Sequence, residues 1–408
     1  MNSGVSAARP RSVLMLVENL PSPFDRRVWQ EACALRDAGY VVSIICPTGK
    51  GCEKKFEAID DIHIWRYDLP LEAAGAAGYA VEYAAALLQT FYLCWKVLFT
   101  RGFDVIHACN PPDLFFLIGG FFKLLGKKFV FDHHDLCPEL YDSRFPHGST
   151  LPRRGLIALE RATFHTADHV VATNVSYAEV AMRRGEKDAA EVTVVRTGPD
   201  QDRLHRRPPV PALRRGRNHL VAYLGVMGPQ DGVDLAVRAA AHVVHNLGRK
   251  DVAFTFMGSG DSYHQLVSLR DELGLQDYIE LPGRVPDDTV LDVLSTADVG
   301  LSPDPKNPLN DVSTMNKTME YMAFGLPVVA FDLKETRVSA GAAASYIQNG
   351  DVAAYAKAIV ELLDDCDKRE AMGRIGRLRI EEELGWSYQR DAYVGVYDAL
   401  VGRHRVRG

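Results

Sequence analysis

Short apolar runs rich in β-branched residues alternate along the chain with longer stretches in which apolar positions recur every third or fourth residue. The first pair is SVLMLVE (Ser12 to Glu18) and DRRVWQEACALRDAG, where Val28, Cys33 and Leu35 are apolar and Gly39 closes the helix. VVSIIC (Val41 to Cys46) follows, then DVIHA (Asp104 to Ala108), KFVFD (Lys128 to Asp132), HVVAT (His169 to Thr173) and VTVVR (Val192 to Arg196). Parallel neighbours need a crossover, usually a helix, so this alternation predicts a parallel sheet covered on both faces.

The pattern breaks at TGPDQDRLHRRPPVPALRRGRN (Thr197 to Asn218), a proline- and arginine-rich run without apolar period that reads as an exposed linker. Alternation then resumes with HLVAYLG, VAFTFMG, YIELPG, DVGLS, PVVAFD and ASYIQ. The expected fold class is α/β, two Rossmann-like doubly wound domains facing a cleft. The first spans 1–198, the linker 199–218 and the second 219–385, while a closing helix in 386–408 packs back on the first domain. In open α/β sheets ligands bind beyond the carboxyl ends of the strands, so the loops there carry the candidate chemistry.

Bulk properties narrow the classes. With 408 residues, 47% hydrophobic, 25% charged and a net charge of -6, the chain is globular and unsuited to nucleic acid, which needs a basic face. Its seven cysteines are odd in number and lack a C-x-x-C, favouring neither a disulfide framework nor a zinc site and placing the protein in the cytosol. Residues 1–11 lack the apolar core of a signal peptide. The most membrane-like window, Ala80 to Thr100, has only 13 uncharged residues between Glu82 and Lys96, too few to span. Leu114 to Lys128, ending in lysines, reads either as a buried helix or as one lying on the inner-membrane surface.

One stretch concentrates chemistry: NKTMEYMAFGLPVVAFD (Asn316 to Asp332). Ser313 or Thr314 is expected to cap a helix that begins near Asn316, buries Met315, Met319 and Met322, and ends at Gly325 and Pro327. Free N–H groups at such a helix start suit a diphosphate, Lys317 adds a cation, and Glu320 offers a carboxylate for ribose hydroxyls; the plainer reading is an exposed Lys317–Glu320 ion pair. FDHHDLCPE places His133, His134, Asp135 and Glu139 in a loop after a strand, where one histidine serves as polar contact or acid/base, or the loop is merely solvated. Gly225 and Gly258 lie in glycine-rich turns that permit close backbone approach to phosphate or sugar. In ENLPSPFDRR, Arg26 and Arg27 either hold an anion or are solvated.

Taken in order, ENLPSPFDRRVWQEACALRDAGYVVSIICP, FDHHDLCPE, YLGVMGPQDGVD, GRVPDDTVLDVLSTADVGLSP and STMNKTMEYMAFGLPVVAFD resemble the retaining GT-B glycosyltransferases of family 4, in the branch that builds bacterial surface polysaccharides. The resemblance covers roughly Val13 to Leu400. It implies transfer from a nucleotide-sugar, most plainly a UDP-sugar, to a glycan or polyprenyl-linked acceptor, without metal or other cofactor. Glu320 then matches the ribose carboxylate, His134 a histidine at the donor sugar, and Gly283, Arg284 and Val285 the segment reading the base. Ser313, Thr314, Asn316 and Lys317 lie by the phosphates. Pro23, Phe24, Asp25, Arg26 and Arg27, with Asp135 and Glu139, fall on the acceptor side.

Two departures weaken the donor anchors. Val226 and Asp231 stand where many relatives have Arg and Lys, and Val312 replaces the first carboxylate of an E-x7-E pair. Lys317, the helix start and Arg284 or Arg196 are then expected to carry more phosphate charge. A non-catalytic sugar-nucleotide-binding partner, and a nucleotide-sugar epimerase or hydrolase, are the competing readings.

Overall fold

The computed structural model describes residues 10–69, 75–145 and 148–402, with residues 75–80 described as backbone only. The described chain divides into two compact units, one of residues 10–141, 148–195 and 390–402, the other of 142–145 and 196–389.

The first unit holds β1 (Ser12–Leu16), β2 (Val41–Pro47), β3 (Phe56–Ile59), β4 (Ile62–Tyr67), β5 (Val105–Cys109), β6 (Lys128–His133), β7 (His169–Ala172) and β8 (Val192–Val194). They form one sheet in the order β3-β4-β2-β1-β5-β6-β7-β8. All neighbours are parallel except β3 and β4, which pair antiparallel. This corrects the expectation of an all-parallel sheet. Asp60 and Asp61 join the two strands with φ of 48° and 61°, the two-residue hairpin turn whose twist matches the strands, and no crossover fits in so short a link. The strands β1 and β5, adjacent in the sheet but distant in sequence, mark the point where its winding reverses.

Helix α1 (Arg26–Asp37) starts at Asp25, whose carboxylate accepts from Val28 N at 3.1 Å. Helix α2 (Gly75–Thr100) packs on β2 and β4 and buries Ala86, Thr90, Cys94 and Val97; α3 (Phe116–Lys123) covers β6. The final helix, Trp386–Val401, sinks Tyr393 and Tyr397 completely, and Tyr40 donates to Asp398 at 2.8 Å within the first unit. None of the described helices is long and apolar enough to cross a membrane.

The second unit holds β9 (His219–Leu224), β10 (Val252–Met257), β11 (Ile279–Gly283), β12 (Val299–Ser302), β13 (Val328–Phe331) and β14 (Ala344–Ile347), all parallel, in the order β11-β10-β9-β12-β13-β14. Apolar layers cover both faces. One centres on Tyr223, Phe254, Phe256 and Tyr355, the other on Leu294, Met319, Tyr321 and Met322. Winding reverses between β9 and β12.

The linker is not a free strand. Its arginines pair with aspartates of the second unit: Arg203 with Asp287 at 2.9 Å, Arg207 with Asp288 at 2.8 Å and Arg214 with Asp298 at 2.8 Å. Val210 N donates to Thr296 Oγ1 at 2.8 Å, and Leu204 is buried. The charge run reads as solvated in sequence because its acidic partners lie some 80 residues downstream.

Candidate active site

In each unit, residues carrying unusual charge gather at the carboxyl end of the sheet where the winding reverses, the place where an α/β sheet leaves a crevice between diverging loops.

In the first unit the centre is Asp132, fully buried at the end of β6. Arg27 grips it from α1, with Nη2 donating to Oδ1 at 2.8 Å and Nε to Oδ2 at 3.2 Å. The same guanidinium reaches Glu31 Oε1 at 3.1 Å and donates to Val195 O at 2.9 Å. His134 pairs with Asp132 through Nε2. Its backbone N and that of Asp135 both donate to Asn110 Oδ1, at 2.6 and 3.1 Å, so the loop is pinned to the end of β5. Behind it, His107 meets Tyr397 Oη through Nδ1 at 2.6 Å and lies 3.4 Å from Glu31 and 3.5 Å from Asp132. Burial alone would raise Asp132, but Arg27 and His134 outweigh it and hold the carboxyl well below its usual range. Burial opposes the charged form of His134 too, yet Asp132 holds that imidazole well above its ordinary value. Burial pushes Glu31 up despite Arg27. Donor atoms of Glu31, Asp132 and His134, and of His107, Cys109 and Asp132, come close enough to suggest a cation, but both Asp132 oxygens are already taken by a guanidinium, which fills the same charge role.

In the second unit the centre is Lys317, buried in the first turn of helix Asn316–Ala323. Its Nζ donates to Asp304 Oδ1 at 2.5 Å and sits 5.4 Å from the centre of the Tyr223 ring. Ser302 Oγ donates to the other Asp304 oxygen at 2.8 Å. Asp231, bonded to Gly228 N at 2.9 Å, lies close enough to feel both; burial pushes it up to about 6, Lys317 pulls it down and Asp304 raises it. Two glycine turns close around this group. A Cβ on Gly258 would meet Gly225 O at 1.8 Å, and one on Gly225 would meet the Lys317 stem at 3.0 Å, so only glycine allows the backbones to approach.

The helix starts at Asn316 and ends as expected at Gly325, with Met319 and Met322 fully buried. Its cap corrects the reading. The N-cap is Met315, which makes no side-chain cap bond, and Ser313 lies two residues upstream, where its hydroxyl donates to Leu309 O at 2.8 Å and finishes the preceding 3-10 turn. Nor is Lys317 half of an exposed pair with Glu320, since Asp304 claims it; Glu320 is half-buried one turn on. Ser313 and Thr314 are half-buried and Asn316 exposed beside them. Gly283 closes β11, with Arg284 exposed and Val285 partly buried after it. Val226 is exposed, its carbonyl accepting from Tyr223 Oη at 2.6 Å. Arg196 is buried, 3.6 Å from Glu335.

On the first unit, Pro23, Phe24 and Arg26 surround the start of α1, where Asp25 serves as cap and Phe24 and Arg26 are exposed. Arg27 is neither solvated nor available to a free anion. His133 is not a loop residue. It ends β6, and the alternation of a strand turns it away from His134 into an aromatic nest of Phe131, Phe164 and Tyr177. Glu139 lies on helix Cys137–Arg144, where Arg184 binds it at 2.5 Å together with Glu160 at 2.7 Å. Asp135 remains half-buried in the pinned loop. Asp132, Glu31, His107 and Asp304 escaped the sequence reading. A signal existed for Glu31 and Arg27, charged residues on the otherwise apolar face of α1, and for Asp132 and Asp304, acids at or just after strand ends.

Residues 25–198 match the family described as Glycosyl transferase 4-like domain, and residues 218–365 the family described as Glycosyl transferases group 1. A D-inositol 3-phosphate glycosyltransferase of Thermobispora bispora is 27% identical over 260 residues, 60% of this chain and 59% of that protein. The match thus spans about three-fifths of that relative's length. Among solved structures, sucrose-phosphate synthase from Thermosynechococcus elongatus superposes with a TM-score of 0.76 at 18% identity over 96% of this chain and 99% of that one. Anabaena Alr3699/HepE, in complex with UDP and glucose, gives 0.72 at 14% identity over 95% and 100%. At such identities the shared property is the fold.

Proposed function

The chain belongs to the GT-B glycosyltransferases, with a family 4-like first domain and a group 1 second domain, and from that premise we propose that it moves a sugar, with retained configuration, from a nucleotide-sugar to a glycan or polyprenyl-linked acceptor in building a cell-surface polysaccharide or glycoconjugate. A UDP-sugar is the first donor to test, because the HepE relative in fold holds UDP and glucose. The observation that carries the reading is Lys317, a buried cation at a helix start where the winding of the second sheet reverses, ringed by glycine turns. Free N–H groups there and the lysine offset charge on a leaving diphosphate, so no metal is required. The protein works at the cytoplasmic face of the inner membrane.

Titration calorimetry with UDP, GDP, ADP and dTDP, each with and without EDTA, tests this: one nucleotide is expected to bind, unaffected by EDTA, and silence from all four would defeat the reading. Glu320→Ala is expected to weaken that binding by about 1–3 kcal/mol, the scale of a hydrogen bond to a charged group. His134→Ala should slow turnover about tenfold or more, as loss of a charge-assisted contact does, while leaving nucleotide affinity near wild type; equal losses in both would assign it to scaffolding.

A second reading has a specific observation in its favour. Lys317 is already answered by Asp304 and faces Asp231 as well, which suits a protein that binds a sugar-nucleotide without transferring the sugar. Nucleotide binding with no product from any donor and acceptor would favour it.

A further inference from the structure

Helix α2 is apolar on two opposite faces. Its inner face, with Ala86, Cys94 and Val97, packs on the sheet, as a covering helix must. Its outer face should then be polar. Instead Val81, Leu88, Tyr92 and Phe99 follow one another along it, 66%, 70%, 67% and 80% exposed. They form a stripe about 27 Å long at the α-helical rise.

The end of α3 continues this surface. Phe121 stands edge-on to Phe91 of α2 at 5.2 Å and to Trp95 at 5.9 Å, and Trp95 stacks on Phe99 at 5.6 Å. Beyond them Leu124 is 85% exposed. Contiguous apolar surface of this kind marks an interaction site. Its rim is basic: Lys96, Arg101, Lys123 and Lys127 belong to these two helices and the turns that leave them, and Lys128 opens β6 beside them. Among described residues the nearby acids are Glu82 on α2, Asp104 just beyond it, whose carbonyl accepts from Lys128 N at 3.0 Å, and Asp168, which reaches Lys123 at 3.3 Å and Lys128 at 3.7 Å. Cations outnumber acids on the rim.

We infer that the joined outer faces of α2 and α3 dock on an anionic bilayer surface, with the aromatic and leucine side chains entering the interface and the lysines meeting lipid phosphates. A helix too short in apolar length to cross, with exposed aromatics along one side and cations toward its C-terminal end, fits the plane of a membrane interface. A protein partner without an acidic face would leave the excess of lysine without its complement. The inference deepens the proposed transfer by naming the surface at which a lipid-linked acceptor would be met, although its geometry stands apart from that reading.

The test is co-sedimentation of the full chain with vesicles of phosphatidylcholine alone or mixed with phosphatidylglycerol, at low and physiological salt, without nucleotide. Binding is expected only with the anionic lipid. The pair Phe99→Ser and Leu124→Ser should abolish it with unchanged thermal unfolding, because both side chains are exposed. Lys123→Gln and Lys127→Gln should each weaken it about fivefold. Equal binding to both vesicle types, no binding to either, or binding indifferent to the paired substitution would overturn the proposal. So would a dimer in solution that the pair splits, which would give the face to a second copy. Calorimetric nucleotide titration of the same preparation reports separately on the transferase reading, so a failure of one is not mistaken for a failure of the other.

Discussion

Arg27→Ala is expected to cost about 3–5 kcal/mol of folding stability, the range for breaking a buried ion pair by removing one partner. The physical reason is the charge left behind. Asp132 and Glu31 have no exposed side-chain surface, and the guanidinium bridges them at shorter range than His107 does. Without it, Asp132 keeps only His134 and the more distant His107 as counter-charges, and burial then favours protonation. Arg27→Lys should recover little, since an ammonium cannot make the two-pronged bond to Asp132 and also reach Val195 O and Glu31. Denaturant unfolding measures both variants. A loss below about 1 kcal/mol for alanine, the size of a surface pair, would mean that water replaces the guanidinium at no great cost.

The second large effect concerns Lys317. Lys317→Met should destabilise by about 3–5 kcal/mol, because Asp304 is buried and loses its cation. It should also abolish nucleotide binding. Asp231 supplies a gentler probe of the same group. Its carboxyl is raised to about 6, so below that pH it is neutral and one negative charge beside Lys317 disappears. Anion binding should therefore tighten as pH falls from about 7.5 to 5.5 in the wild-type protein. The terminal phosphate of the nucleotide titrates near pH 6 as well and pulls the other way. Asp231→Asn separates the two. It should bind the nucleoside diphosphate more tightly at pH 7.5 and lose the tightening at lower pH, keeping only the opposing trend of the ligand. The same shift bears on folding: a carboxyl whose pKa is raised on folding favours the folded state at pH below its unfolded value, and that contribution is lost as pH rises through about 6. Identical pH curves for variant and wild type would remove Asp231 from the anion site.

Most of the architecture was legible because buried parallel strands announce themselves as short β-branched runs, and twelve such runs in the sequence coincide with strands in the structure. The hairpin of β3 and β4 was missed because Asp60-Asp61 adopts a turn more often signalled by Asn-Gly or Asp-Gly. In the candidate site, the elements were readable but their electrostatic partners were not. Lys317 and Glu320 stand out in one helix, whereas Asp304 is 13 residues away across an irregular loop. Arg27 and Asp132 are 105 residues apart, and only the sheet order that sets β1, β5 and β6 side by side brings them together. His133 and His134 look equivalent as letters. The last residue of a strand and the first of a loop are not equivalent in direction, and one became core while the other became part of the charged cluster.

The glycine turns of the second unit are also stitched end to end: Gly225 N donates to Met257 O at 3.0 Å, Gly258 N to Gly283 O at 2.9 Å and Met227 N to Ser259 O at 3.0 Å. Loops so tied cannot open one at a time. Amide hydrogen exchange at Gly225, Met227 and Gly258 should rise and fall together, and a ligand that touches only one turn would slow exchange in all three, so that contact at one edge would be felt at the other through a single mechanical element.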